Sequence, residues 1–393
     1  MNKYIIIWSA FLLLPISLKA QNTIDTILLQ IESNNTTLSA LRTRAEAQKI
    51  GNKTGVYLQN PEIGYNYVWG SPAVIGNRTD VSIIQTFDFP SAYRFKSKIS
   101  NIRNEQAELE YQGQRKAILY EARTLLSDII YSNALIKENS TRISRAQAIA
   151  DAFKTKFENG ETGILEFNKA MLYLLNKTKD LDALLIERNV FHQQLAALNG
   201  GKTIELKESF LPVQLLPAEF DQWYIHAEQT NPALLWLKQE IEASQQQIKL
   251  DRALALPKAT TGYMSEKIVG ESFSGITLGV SIPLWENKNK VKYAKSQATA
   301  LQVMQHDKRL QFYNLLKAQY DKAMSLQQLV NRYKDDLQSF DNSVLLKKAL
   351  DMGEITLIEY LMELSLTYTA IDNLLKIENE LNIAVANLKQ YEF

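Results

Sequence analysis

The sequence predicts a mainly helical protein built of long antiparallel coiled coils, carrying four short β-strands arranged as two hairpins. Three observations predict it. The chain is an internal duplication; long proline-free stretches keep apolar residues at 3- and 4-residue spacing; and each half holds alternating strand-like segments directly after a proline.

Residues 1–20 are set aside first. Lys3, an apolar run from Ile5 to Leu14 and the small Ala20 before Gln21 read as a secretory signal peptide, too short in its apolar core to span a bilayer. The mature chain is thus expected outside the cytoplasm. With no cysteine there are no disulfides, thiolate metal sites or cysteine nucleophile, and no lipid-modified cysteine at the cleavage site. Lys plus Arg number 44 against 43 acidic residues, so no electrostatic case exists for nucleic acid.

The duplication is legible in two ungapped registers that differ by three residues. At a shift of 196, Asn35, Leu38, Leu41, Glu46, Ala47, Leu58, Pro61 and Tyr67 fall on Asn231, Leu234, Leu237, Glu242, Ala243, Leu254, Pro257 and Tyr263. Later, at 193, "NGETGILEF" (159–167) falls on "MGEITLIEY" (352–360). The expected organisation is a first repeat over 21–200, a linker over 201–230 with Pro212, Pro217 and Trp223, and a second repeat over 231–393.

Each repeat opens with a helix, 23–58 and 231–254, which Pro61 and Pro257 forbid from continuing. Strands follow. In "EIGYNYVWG", Ile63, Tyr65, Tyr67 and Trp69 share a face opposite Glu62, Gly64 and Asn66. In "DVSIIQTFDF", Val81, Ile83, Phe87 and Phe89 oppose Ser82, Thr86 and Asp88. The second repeat has Tyr263, then Ile276, Leu278, Val280, Ile282 and Leu284 alternating with Thr277, Gly279 and Ser281. Strands of this length, apolar on one face and small or polar on the other, fit an outer-membrane barrel, though soluble half-buried strands alternate too.

The long helices come next. Ala122, Leu125, Ile129, Ile136, Ile143, Ala146, Ala150, Phe153 and Phe157 form a ladder, with Ser132 and Asn139 on polar rungs. Tyr313, Leu316, Tyr320, Ala323, Leu326, Val330, Tyr333, Leu337, Phe340 and Val344 form a second. No proline interrupts 91–158 or 286–393. A continuous helix over 91–158 would be about 100 Å long, and each rod is expected to end at a glycine turn, Gly160 or Gly353. Four strands cannot close a barrel, and open edges in hydrocarbon leave backbone groups unpaired. If these strands enter a membrane, several chains must share one barrel: two would give eight strands, three would give twelve.

"FENGETGILEFNKA" and "LDMGEITLIEYLME", with "ITLGVSIPLWENKNKVKYAKSQA" at a strand-to-helix junction, resemble the TolC family of outer-membrane efflux proteins over essentially the whole mature chain. The resemblance implies a homotrimer with a shared twelve-strand outer-membrane barrel and a periplasmic tunnel of helices. It implies a passive exit duct, seated in outer-membrane lipid, that docks a periplasmic adaptor and an inner-membrane pump of the RND type. "MGEITLIEYL" and the short interstrand loops look most like the heavy-metal-cation branch. Drug efflux, type I protein secretion by the same fold, and a periplasmic coiled-coil structural protein are the alternatives. Glu166 and Glu359, six residues after Gly160 and Gly353, match the family's constricting acids; the other reading is ordinary glutamates at a helix start, which the macrodipole favours. Glu161, Asp351 and Glu354 are turn residues that would contact an adaptor or simply be solvated. Where some members carry a basic and an acidic latch residue, Ile355 and Met362 stand here.

Other signals lead nowhere. "NGGKT" (199–203) has Ala196 where a phosphate loop needs glycine, and His192, His226 and His306 lack ligand spacing. No cofactor and no catalytic constellation is expected, so the protein reads as a non-enzyme.

Overall fold

The computed structural model describes residues 14–211, 215–340 and 342–391, with side chains from residue 24 onward. The expected leader lies outside the described residues as far as residue 13, and 14–20 open the first helix. In order come α1 (Leu14–Asn34), α2 (Thr36–Gly51), β1 (Glu62–Val68), β2 (Arg78–Phe87), α3 (Pro90–Glu158), α4 (Ile164–Leu198), α5 (Phe220–Thr230), α6 (Pro232–Leu254), β3 (Lys258–Ile268), β4 (Glu271–Ser281), α7 (Lys290–Phe340), α8 (Ser343–Asp351) and α9 (Leu357–Lys389). Among the described residues no helix is long and apolar enough to cross a membrane.

The chain forms two compact units, each assembled from both sequence repeats. Unit 1 comprises Met1–Ser39, Gln114–Thr230 and Tyr313–Phe393; unit 2 comprises Ala40–Gly113 and Asn231–Phe312.

Unit 1 is held by apolar layers between helices. Ile24, Ile27 and Ile31 of α1 meet Ala122, Leu125, Leu126, Ile129 and Ile130 of α3 and Leu195 of α4. Ile204 and Leu206 of the linker close this core, and Asn133 Nδ2 anchors the linker by donating to the Leu206 and Glu208 carbonyls at 2.9 and 3.0 Å. Farther along the chain Phe220 of α5 gathers Trp223, Tyr224, Tyr313 and Tyr320, with ring centroids 5.3–6.0 Å from its own. The predicted α3 ladder is buried at Ala122, Leu125, Ile129, Ala146 and Ala150, and exposed by Phe157.

Unit 2 packs Ala92, Phe95 and Ile99 of α3 against Leu250, Ala253 and Leu254 of α6. It also carries the sheet, antiparallel throughout in the order β1-β2-β3-β4, so the two hairpins join through β2 and β3.

Two helix expectations need correction. The predicted continuous helix over 23–58 is two helices that stop at Gly51. Asn35 breaks it by turning its side chain into a cap, Oδ1 accepting from Leu38 N–H at 2.8 Å. Likewise the second long rod does not reach Gly353 unbroken, since α7 ends at Phe340 and α8 starts at Ser343. "SFDNS" (339–343) is rich in residues whose side chains compete with helix hydrogen bonds, and Ser339 Oγ already donates back to the Asp335 carbonyl at 3.0 Å.

Candidate functional site

Two places carry the sequence-predicted residues: a pair of turns in unit 1 and the sheet in unit 2. The turns close in the same way. Gly160 and Gly353 have φ of 75° and 74°, a region that disfavours any side chain. Gly160 N–H donates to Phe157 O at 3.0 Å and Glu161 N–H to Lys156 O at 2.8 Å. Gly353 N–H donates to Leu350 O at 3.1 Å and Glu354 N–H to Ala349 O at 2.9 Å. Both are Schellman closures, in which a left-handed residue just past the helix lets the chain reverse.

The returning helices then begin at equivalent residues, Gly163 before α4 and Thr356 before α9. Glu166 and Glu359 therefore both occupy the third helical position, where a carboxylate meets the positive end of the macrodipole. Their carboxylates are engaged locally. Glu166 Oε1 accepts from Lys169 Nζ at 2.7 Å. Glu359 completes a capping box: Thr356 N–H and Oγ1 donate to its Oε2 at 2.7 and 2.8 Å, and Glu359 N–H donates back to Thr356 Oγ1 at 3.3 Å. The hydrogen bonds from Thr356, backbone first and hydroxyl second, hold the Glu359 carboxyl below the usual range. Around these turns Glu161 accepts from Asn159 Nδ2 at 3.2 Å, and Asp351 accepts from Lys347 Nζ at 2.8 Å.

Sequence reasoning missed what supports the second turn. Tyr360, Leu364 and Tyr368 of α9 are buried with Ile149, Leu346, Leu350 and Ile355 against them. The 4-residue spacing of Tyr360, Leu364 and Tyr368 was the available signal. Beside it Arg142 of α3, its side chain 3% exposed, forks onto Asp372 of α9 at 2.7 and 2.8 Å and donates to the Tyr368 carbonyl at 3.3 Å. Burial, followed by the neighbouring Tyr368 and Tyr360, pushes the Tyr173 phenol far above its ordinary range. Among the described residues no group of three or more His, Asp or Glu side chains is placed to hold a metal ion.

In the sheet, pairing settles which side chains share a face. Ile63 lies opposite Ile83, Tyr65 opposite Val81, Ile83 opposite Tyr263, Tyr263 opposite Ile276, Thr261 opposite Leu278 and Ala259 opposite Val280. One face thus carries a mainly apolar band, interrupted by Gln85, Thr261, Ser265 and Ser274 and with Phe87 at its edge, and Ile63, Tyr65, Tyr67, Ile83, Tyr263, Leu278 and Val280 on it are all exposed. Ile276 at its centre is 79% exposed. The other face carries Gly64, Ser82, Thr86, Thr260, Gly262, Gly275, Thr277 and Gly279, with Ile84 and Met264 among them. At Gly262 a Cβ would sit 2.5 Å from the Ile83 carbonyl oxygen, so only glycine allows β2 and β3 this approach. Trp69, Phe89 and Ile282, expected within strands, flank them instead, because pairing ends at Val68, Phe87 and Ser281.

No model of a known protein family matches the chain, and no curated protein matches it. Solved structures do. CusC, described as undergoing conformational changes on folding and transmembrane channel formation, aligns with a TM-score of 0.80 at 14% identity, covering 94% of this chain and 92% of its own. The chain has the fold of the TolC-like outer-membrane channels. The CmeC outer-membrane channel of Campylobacter jejuni aligns at 0.75 and 14% identity over 94% and 85% of the two chains. The MtrE outer-membrane channel of Neisseria gonorrhoeae, in its open state, aligns at 0.73 and 12% identity over 94% and 88%. This channel fold accounts for the long helices, the paired glycine turns and the four-stranded sheet together.

Proposed function

We propose that the chain is the outer-membrane exit duct of a tripartite efflux system, conducting substrate passively from a periplasmic adaptor and an RND-type inner-membrane pump to the outside. The observation that carries this reading is the sheet. Its apolar face is exposed from edge to edge, and among the described residues β1 and β4 each pair on one side only. Water penalises the first feature and hydrocarbon penalises the second, so both are relieved when copies join edge to edge inside a bilayer. Three copies give the twelve-strand homotrimeric barrel that the TolC-like resemblance implies.

In this arrangement the chain is exported through residues 1–20, and the duplicated units 21–200 and 231–393, linked by 201–230, each supply one hairpin and one pair of long helices. The small, polar sheet face lines the lumen. Glu166 and Glu359 ring the periplasmic mouth, and Gly160, Glu161, Asp351, Gly353 and Glu354 form the tips that meet the adaptor. A groove of about 620 Å³ beside the second tip supports that role, lined by Ile149 and Phe153 together with Arg145, Lys156, Lys347, Lys348 and Asp351. Heavy-metal cations are the proposed cargo, on the likeness of "MGEITLIEYL" to that branch.

The test is growth of a deletion strain, with and without a plasmid copy, across cobalt, zinc, cadmium, copper, silver, bile salts, dyes and antibiotics. Hypersensitivity confined to cations supports the cargo assignment. Hypersensitivity to drugs and detergents alone keeps the duct and removes the metal. A protein recovered as a soluble monomer on fractionation removes the duct.

A further inference from the structure

α7 leaves the sheet with a basic first turn, whereas α4 and α9 leave the glycine turns with an acidic one. α4, α5 and α9 carry an acid in the first turn, whereas α3 and α7, like α1, α2, α6 and α8, carry none. No acidic residue occurs between Asp88 and Glu105 or between Glu286 and Asp307, in a chain otherwise balanced in charge. Those stretches hold Arg94, Lys96, Lys98 and Arg103, and Lys288, Lys290, Lys292 and Lys295. Lys290 and Lys292 sit in the first turn of α7, where the macrodipole repels cations. Lys290 Nζ donates to the neutral Asn287 Oδ1 at 3.0 Å, and no carboxylate among the described residues answers either charge; an anion from outside the chain would.

Both basic helix starts lie at one end of the sheet. Phe87 pairs with Ala259 and Lys258 with Ser281 there, and Asn287 Nδ2 ties the start of α7 to the Leu254 carbonyl at 2.8 Å. Three of the local cations are matched, Lys96 by Asp88, Arg103 by Glu240 and Lys258 by Glu286. Arg94, Lys98, Lys288, Lys290, Lys292 and Lys295 have no carboxylate partner among the described residues. The same end presents apolar side chains continuous with the exposed band: Ile282, Leu284, Phe89 and Trp285, the last 81% exposed. Apolar surface running directly into lysines and an indole is the order of a membrane's hydrocarbon, interface and headgroup layers.

We infer that these residues form a binding surface for anionic phospholipid headgroups in the leaflet at the helix-bearing end of the sheet, Trp285 lying at the interface and the Lys288–Lys295 cluster taking the headgroup phosphates. This rests on the reading of the sheet as membrane-embedded.

The full-length protein in detergent is mixed with equal amounts of dioleoyl phosphatidylglycerol and dioleoyl phosphatidylcholine, and bound lipid is counted by native mass spectrometry. Phosphatidylglycerol is expected to be retained about tenfold or more over phosphatidylcholine, since each cation near an anionic surface contributes about fivefold. Changing Lys288, Lys290, Lys292 and Lys295 together to Gln should remove most of that preference, and changing them to Arg should keep it. Equal retention of the two lipids, a preference that survives Lys→Gln, or displacement of phosphatidylglycerol by inorganic phosphate overturns the inference. Flotation with phosphatidylcholine vesicles separates the two readings. Protein that floats without lipid preference keeps the membrane role and loses this surface; protein that never floats loses both.

Discussion

Arg142 and Asp372 form one ion pair with unequal partners. The arginine side chain is 3% exposed and the aspartate 40%, so deleting the aspartate strands a buried guanidinium, whereas deleting the arginine returns a carboxylate to water. The Arg142 Nε already lacks a partner among the described residues, and the Tyr368 carbonyl at 3.3 Å and the Tyr368 ring, its centroid 4.5 Å from the guanidinium carbon, are the support that would remain. Asp372→Ala is therefore expected to cost about 3 kcal/mol in denaturant unfolding of the solubilised protein, and Arg142→Met clearly less; equal losses would refute the asymmetry. At the neighbouring turn, Thr356→Ala should cost about 1 kcal/mol of local stability, read as faster hydrogen exchange in the first turn of α9. Because the Glu359 carboxyl is held below its usual range, its contribution is present above that range and lost as pH falls through the lowered value. The exchange difference between wild type and Glu359→Ala should accordingly be full at neutral pH and vanish in acid. A difference that persists there would mean the cap does not depend on charge.

At the scale of the element, the two turns are one design used twice, and glycine is its requirement. Gly160→Ala and Gly353→Ala place a Cβ at φ near 75° with open space around it, so the cost is conformational, about 1–2 kcal/mol each. Asn at either position should cost less than Ala. Limited proteolysis at 158–163 and 351–356 checks this, and equal cleavage of all variants would show that the left-handed closure is not what holds the turns. These turns were legible in the sequence because a repeat with a glycine at the same place in both copies states its own geometry. The sheet faces were legible too, since strand periodicity depends on neighbours alone. The break at Asn35 was not read, although the duplication contained it: Asn35 aligns with Asn231, and Asn231 Oδ1 caps α6 by accepting from Ala233 N–H at 2.8 Å. The α7–α8 break lay in "SFDNS", outvoted by an apolar ladder that continues through Phe340 to Val344, both of them exposed. Arg142 could not be read at all, because its partner is 230 residues away and no local pattern links them.

At the scale of the whole molecule, the question is what the sheet's apolar face meets. Ile276 lies mid-strand in β4, directly opposite Tyr263, and is 79% exposed, while Thr277 beside it points to the other face, opposite Gly262. In a water-soluble protein, arginine at an exposed Ile276 would change stability within about 0.5 kcal/mol, as surface substitutions do. In a barrel wall the same residue faces lipid near the bilayer midplane, where arginine costs about 2–4 kcal/mol, and Thr277→Arg faces the lumen and is spared that penalty. The two variants therefore differ sharply in one environment and hardly at all in the other. Assembly into vesicles, followed by the yield of heat-modifiable oligomer on gels, measures the difference: Ile276→Arg should assemble poorly, and Thr277→Arg should assemble and alter conductance. Were Ile276→Arg to assemble as well as wild type, the apolar face would be covered by protein rather than by lipid. The four strands would then cap a helical bundle in water, and their unpaired edges would need a protein partner instead of a neighbouring copy in the bilayer.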